Sequence, residues 1–174
     1  RRQRQMCIRD RLTLNPVEED EFIDKDINIR DYLHEIISSF KEISKKEFVF
    51  NFDQDSNPKK ISKSIEIVYG LRNFIGNANK FAKNSIFINL KSDSEFTELT
   101  IEDDGNGYPR DIISKIGEPY LKSNYSKDKS KEGLGLGLFI GKTLLEKNFA
   151  SINCRNSETR NGAEVIIRWK NKEL

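Results

Sequence analysis

The sequence is poor in the residues that build disulfide frameworks and soft-metal sites. It has two cysteines, Cys7 and Cys154, and a single histidine, His34. Neither a disulfide framework nor a metal-ligand spacing can be written from them, and a reduced, cytoplasmic setting is expected. No apolar run approaches the roughly 18 residues of a membrane span, and no secretory signal opens the chain. What is present is 36% hydrophobic and 33% charged over 174 residues, which is enough for one soluble globular core. There is no internal repeat.

The net charge of +2 is unevenly placed. Five of the eleven arginines lie in residues 1–11, RRQRQMCIRDR, a segment without lysine. Its five arginines and one aspartate contribute +4, so the remainder stands at −2. Such a segment reads as a basic arm for nucleic acid or as a non-native tail. The abrupt change in lysine and arginine usage favours the tail, and nucleic acid is not expected as a partner.

Hydrophobic periodicity divides the rest. Residues 29–44 place Leu33, Ile36, Ile37, Phe40 and Ile43 at helical spacing, and EFVFNFD alternates Phe48, Phe50 and Phe52 as a half-buried strand. A turn cluster at 53–58 precedes a second amphipathic helix over 61–83. A hairpin over 86–92 and 96–103, a loop at 104–109 and a short helix at 110–116 follow. Residues 119–132 form a polar, lysine-rich segment long enough to be functional. A third helix to about 148 and strands at 151–155 and 163–169 close the chain. Segregated helices and a mixed, mostly antiparallel sheet predict a two-layer α/β sandwich.

Three stretches carry candidate chemistry. On the 61–83 helix, Asn73, Asn77 and Lys80 fall within about 60° of one another at 100° per residue. Ile75, Ala78, Leu71, Val68 and Ala82 lie opposite. Asparagine is a mediocre helix former, but an amide oxygen is a hard neutral ligand suited to Mg²⁺ with phosphate and water. Lysine meets phosphate as a point charge. The competing reading is an ordinary solvated face.

The strand before DGNG is the second. Thr97, Leu99, Ile101 and Asp103 share its core-facing side because side chains alternate, while Asp104 points away. A carboxylate at that end is costly unless it accepts hydrogen bonds, and an exocyclic amine could supply them. Gly105 and Gly107 would let a flat ring approach the backbone. The alternative is an Asx-turn aspartate before glycine.

The third is KEGLGLGLFIGKTLLEK, residues 131–147. Its glycines fit neither the phosphate loop ending in Gly-Lys-Ser/Thr nor the dinucleotide fingerprint. Glycine–leucine alternation at a helix start leaves free N–H groups and the positive helix end for an anion.

Taken in order, these stretches resemble the ATP-binding catalytic domain of sensor histidine kinases, in the wider group with gyrase, Hsp90 and MutL ATPases. NFIGNANKF (73–81) is similar to the asparagine box, DDGNG (103–107) to the first glycine box and GLGLGL (133–138) to the second. GEPY (117–120) replaces the usual phenylalanine box and resembles the redox-responsive RegB/PrrB branch. The resemblance covers about residues 27–170. It implies a Bergerat-type ATP-binding fold over 27–174, a linker at 12–26 from a missing dimerisation and phosphoacceptor domain, and a tail at 1–11.

It also implies roles. Asn77 would coordinate Mg²⁺, Asn73 and Lys80 would contact phosphates or metal, and Phe81 would line the nucleotide; Asn77 and Lys80 are the catalytic candidates. Asp103 would receive the adenine amine beside Gly105 and Gly107. Gly133, Leu134, Gly135, Leu136, Gly137 and Leu138 would shape the phosphate end. Residues 119–132 would form an ATP lid with Lys122 on phosphate. Expected cofactors are ATP and Mg²⁺. Expected partners are the phosphoacceptor domain of the same kinase and a downstream response regulator, in a membrane-anchored homodimer with this domain on the cytoplasmic face.

One residue departs from the pattern: Gly76 stands where related proteins usually carry an acid before the second asparagine. That acid activates water in the ATPase relatives. His34, in HEIISSF, lacks the proline of the kinase acceptor motif and reads as an ordinary helix histidine. Transfer to a histidine elsewhere is therefore expected, with a nucleotide-sensing module or slow ATPase as the alternative.

Overall fold

The computed structural model describes residues 27–53, 60–61, 64–113, 115–119 and 136–174. Residues 1–11 and 12–26, Lys122, Gly133, Leu134, Gly135 and all of the expected lid except Pro119 lie outside them.

The described elements run β1 (Ile27–Asn28), α1 (Ile29–Lys41), β2 (Glu47–Phe52), β3 (Lys60–Ile61), α2 (Ile65–Phe81), β4 (Ser85–Ser92), β5 (Phe96–Asp103), α3 (Arg110–Ile113), α4 (Leu136–Lys147), β6 (Ser151–Asn156) and β7 (Ala163–Lys170). Five strands form one sheet in the order β2-β4-β5-β7-β6, and β1 pairs with β3 in a second, two-stranded sheet. Strand β2 runs parallel to β4, and every other pair in the large sheet is antiparallel.

Alternation along the strands makes the two layers. Ile86, Ile88, Leu90, Leu99, Ile101, Val165, Ile167 and Trp169 share one core with Leu33, Ile36, Ile37, Leu71, Phe74, Ile75 and Leu145 of the helices. Glu98, Thr100, Glu102, Glu164 and Arg168 occupy the intervening positions and face the other way. At the end of that outer face Glu102 and Glu164 are a directly opposed pair on β5 and β7. Each is neutralised locally: Glu164 by Arg155, Glu102 by Arg160 and the Ser157 hydroxyl at 2.8 Å.

Caps set the helix boundaries and shorten two of the expected elements. The helix expected from 61 begins at Ile65, because Ile61 pairs with Ile27 and the Ser64 hydroxyl accepts from the N–H groups of Glu66 and Ile67. At its far end the Lys46 ammonium donates to the carbonyls of Asn79 and Ala82, a cation on the negative end of the helix. Helix α1 stops at Lys41 rather than 44, so Ile43 is 79% exposed and not part of the apolar stripe. There the chain turns, and the Ser44 hydroxyl bonds the Asn79 side chain at 2.7 Å. Helix α3 ends at Ile113 and gives way to tight turns leading to Gly117 at φ +97°.

Glycines decide how closely α4 lies on α2. A Cβ on Gly70 would come 2.6 Å from Leu145 Cγ, and one on Gly141 would come 3.0 Å from the Phe74 ring. Gly141, the last glycine of the run, therefore serves helix packing. Gly76 is different: a Cβ there would sit 3.5 Å from Phe40 Cζ, an ordinary contact. Gly76→Ala should accordingly stabilise the fold by about 0.5–1 kcal/mol, the helix cost of glycine. Urea unfolding checks this, and a lower midpoint at unchanged slope would contradict it.

Candidate functional site

Helix α2, the end of β5 and the start of α4 bring the candidate residues together. Asn73 donates its amide to the Tyr69 carbonyl at 2.7 Å, which fixes the direction of its oxygen. That oxygen lies 3.4 Å from where a Cβ on Gly137 would stand, so the first turn of α4 faces Asn73. Asn77 is half-buried one turn further on. The ammonium of Lys80 rests over the Phe81 ring, 5.4 Å from its centroid, and Phe81 is 41% exposed. From Asn73 to Phe81 the row spans about 12 Å at 1.5 Å per residue.

The core-facing row of β5 is as expected, with Thr97, Leu99 and Ile101 buried and Asp103 2% exposed at its end. Asp103 Oδ1 accepts from the N–H groups of Gly105 at 2.8 Å and Ala163 at 3.2 Å. Burial pushes its pKa above the ordinary aspartate value. The two backbone donors and the Lys46 charge pull down without overcoming that, and the neighbouring Asp104 adds to the rise. Asp104 has a different task. Its carboxylate accepts from the N–H groups of Lys83 at 2.7 Å and Asn84 at 3.0 Å, tying the end of α2 to β5.

Gly105 is confined by both elements: a Cβ would lie 2.5 Å from the Phe81 carbonyl oxygen and 2.7 Å from Asp103 Oδ1. Gly107 takes φ +71°, and a Cβ would lie 2.7 Å from Asn156 Oδ1. Both glycines are thus required by protein neighbours, whatever binds beside them. Leu136 opens α4 and is half-buried, and Leu138 packs against the core.

Three residues of this region escaped the sequence reading. Gly162 lies against Asp103 so closely that a Cβ would overlap the Asp103 carbonyl oxygen and come 2.5 Å from its carbon. The Asn161–Gly162 dipeptide is a hairpin-turn signal, and Asn161 does take φ +58°. Nothing local, however, announces contact with a residue about 60 positions earlier. Asn156 and Tyr108 are joined through the Tyr108 backbone, and no motif marks Asn156. Tyr108 is buried, with its phenol beside the Cys154 thiol. Desolvation raises both groups, the thiol to about 11.

Two tempting residues stand elsewhere. Lys142, in the Gly-Lys-Thr triplet, extends across Gly117 and pairs with Glu146 at 3.8 Å. His34 is exposed on α1, its ring edge-on to Phe50 with centroids 4.8 Å apart. Among the described residues no group of three or more His, Cys, Asp or Glu side chains could hold a metal. The polar side chains on the exposed row of α2 are two amides and an ammonium, a donor set that suits a metal arriving with phosphate oxygens.

Comparison with known proteins identifies the family and the fold. Residues 62–173 match the family described as histidine kinase-, DNA gyrase B-, and HSP90-like ATPase. Sensor histidine kinase RegB of Cereibacter sphaeroides is 37% identical over 119 residues, which cover 60% of this chain and 26% of that protein. Sensor protein SrrB of Staphylococcus aureus is 31% identical over 105 residues, covering 59% of this chain and 18% of SrrB. The chain thus spans about a quarter or less of the length of these relatives. Among solved structures, the catalytic domain of histidine kinase ThkA superposes with a TM-score of 0.69 at 21% identity, covering 84% of this chain and 97% of that one. The mycobacterial sensor histidine kinase MprB gives 0.68 at 19% identity, over 84% and 96%. At those identities the likeness establishes the α/β fold.

Proposed function

This chain belongs to the histidine kinase-, DNA gyrase B-, and HSP90-like ATPase family, and on that premise we propose that it binds Mg-ATP and offers the γ-phosphoryl group to a histidine on a separate domain. The observation that carries the reading is Asp103. It is a buried carboxylate with both backbone donors on Oδ1, set beside Gly105 and Phe81. About 12 Å along α2, Asn73 and Gly137 face each other.

In this reading Oδ2 of Asp103 accepts the exocyclic amine of the base. Gly105 and Gly107 let the loop pack against Phe81, Asp103 and Asn156 beside the base, and the Phe81 ring lines the nucleotide. Asn73, Asn77 and Lys80 serve the phosphate end, with the Asn77 amide oxygen as metal ligand. Gly137 leaves the N–H groups of the first turn of α4 open to phosphate oxygens. Mg²⁺, when bound, would neutralise phosphate charge and help align the transferred group. The protein supplies positioning and charge rather than a covalent step of its own. Lys122, Gly133, Leu134 and Gly135 are assigned to the same end by the motif, as is the 119–132 lid.

The acceptor belongs to a dimerisation domain of the same kinase, and a response regulator receives the group next. RegB is named a sensor histidine kinase and SrrB a sensor protein, which supports a sensor role; the intact protein in this reading is a membrane-anchored homodimer with this domain on the cytoplasmic face. No helix among the described residues is long and apolar enough to cross a membrane. Gly76 supports a second reading, a nucleotide-sensing module or slow ATPase, because it lacks the carboxylate that would activate water. A general base contributes about 10²–10⁴-fold, so hydrolysis should be slow in either case.

Labelled ATP with a purified acceptor domain separates the two. We expect Mg-dependent binding, negligible labelling of this chain alone, and transfer when the acceptor is added. Asn77→Ala should abolish the Mg-dependence. Acid-labile phosphate on His34, or fast turnover that Asn77→Ala leaves untouched, would overturn the assignment.

A further inference from the structure

Asn156 ends β6, a strand that carries none of the residues assigned above. Its side chain nonetheless closes a two-point clamp on the loop that follows Asp103. Asn156 Oδ1 accepts from the Tyr108 N–H at 2.6 Å, and Asn156 Nδ2 donates to the Tyr108 carbonyl at 3.0 Å. A primary amide is the smallest side chain that can meet both the N–H and the C=O of one residue. The same oxygen lies against Gly107, at 2.7 Å from an added Cβ, so no larger residue could hold position 107 beneath it. The Tyr108 phenol is buried beside Cys154, the residue two positions before Asn156 on the same strand. The Asp104 N–H bonds the Ser85 carbonyl of β4 at 3.3 Å, but residues 105–109 belong to no strand, so the clamp ties the far end of the loop to the sheet.

We infer that Asn156 is a positioning residue for the base end of the site: through Tyr108 it holds the Asp103–Gly107 loop in the shape that selects adenine. The inference rests on the nucleotide reading above and adds a residue that touches the loop rather than the ligand. The loop is thus held from both ends, with Asn156 setting Tyr108 and Gly107, and Gly105 and Gly162 setting Asp103. Loss of the clamp should loosen recognition of the base while leaving the phosphate end on α2 and α4 as it was.

Two measurements on the 174-residue chain test this. In the nucleotide-free protein, hydrogen exchange at the Tyr108 amide should accelerate in Asn156→Ala. It should accelerate less in Asn156→Asp, which keeps the acceptor for the Tyr108 N–H but sets a carboxylate oxygen against the Tyr108 carbonyl in place of the donor. Titration with Mg-ATP and Mg-GTP then reads the consequence. With the clamp gone, ATP must order the loop as it binds, and we expect about a tenfold weaker ATP Kd in Asn156→Ala, with a smaller loss for GTP, so the preference for adenine falls. Asn156→Asp should lie between wild type and Asn156→Ala. An unchanged ATP Kd, or equal proportional losses for both nucleotides, would overturn the positioning role and leave the nucleotide reading intact. Failure of the unaltered chain to bind ATP would overturn both. If Asn156→Ala does not fold, the Asn156→Asp titration decides by the same ratio.

Discussion

Gly162→Ala should lower stability by about 3 kcal/mol or more, the upper end of overpacking costs. The added methyl would occupy the space of the Asp103 carbonyl oxygen, and neither partner can step aside. Asp103 ends β5 opposite Ile86 of β4, and its side chain is held by the Ala163 N–H next to Gly162. Gly162 in turn gives its carbonyl to the Ser157 N–H at 2.8 Å. Relief therefore requires β5 and the β6–β7 turn to part. Urea denaturation of the two proteins measures the effect, and ATP binding by the folded fraction should weaken as Asp103 shifts. A loss below about 1 kcal/mol, the range of an ordinary surface change, would mean that the turn yields easily and that Gly162 does not constrain Asp103. The contrast with Gly76→Ala is physical. One methyl meets backbone in a sheet, the other makes an ordinary contact with a phenylalanine ring.

Asp103→Ala should weaken ATP binding by about 1.5–3 kcal/mol, or roughly 10–150-fold, the scale of a hydrogen bond to a charged group. Calorimetry with a non-hydrolysable Mg-ATP analogue reads this directly, and equal affinity of the two proteins would remove Asp103 from the site. The stability of the variant should change less than its affinity, because two terms oppose. Alanine leaves the Gly105 and Ala163 N–H groups without their acceptor, but it also removes a carboxylate that burial disfavours.

The pH dependence separates these terms. The folded-state pKa of Asp103 is raised, so the folded protein holds its proton to higher pH than the unfolded chain. Its contribution to stability is therefore most favourable at acid pH. That contribution is lost as pH rises from the ordinary aspartate value to the raised one, and is flat beyond it. Asp103→Asn should lack this segment of the stability profile. ATP binding should run the other way, strengthening as Asp103 ionises and becomes the better acceptor for the amine.

Local pattern was enough for much of this protein. Period-two alternation placed Leu99, Ile101 and Asp103 on one side of β5, and helical spacing put Asn73, Asn77 and Lys80 on one exposed row. Both are properties of a dozen residues or fewer, and burial follows them closely. Order along the chain did the rest: three boxes in sequence pointed to the family, and residues 62–173 belong to it. Boundaries were less legible. Whether 61–64 continues α2 depends on the pairing of Ile61 with Ile27, and whether 42–44 continues α1 depends on Ser44 meeting Asn79. Both partners lie more than 30 positions away.

The amino-acid order by itself determined the layers, most of the buried stripes of α1 and α2 and the candidate rows on α2 and β5, because each rests on a short-range period. Only the tertiary structure decided what the glycines are for. Gly70 and Gly141 let α4 lie on α2, Gly105 and Gly162 make room around Asp103, and Gly107 takes a left-handed turn under Asn156. In sequence these are the same residue with the same conformational freedom. What distinguishes them is which atom stands within about 3 Å of the missing Cβ, and long-range packing alone sets that.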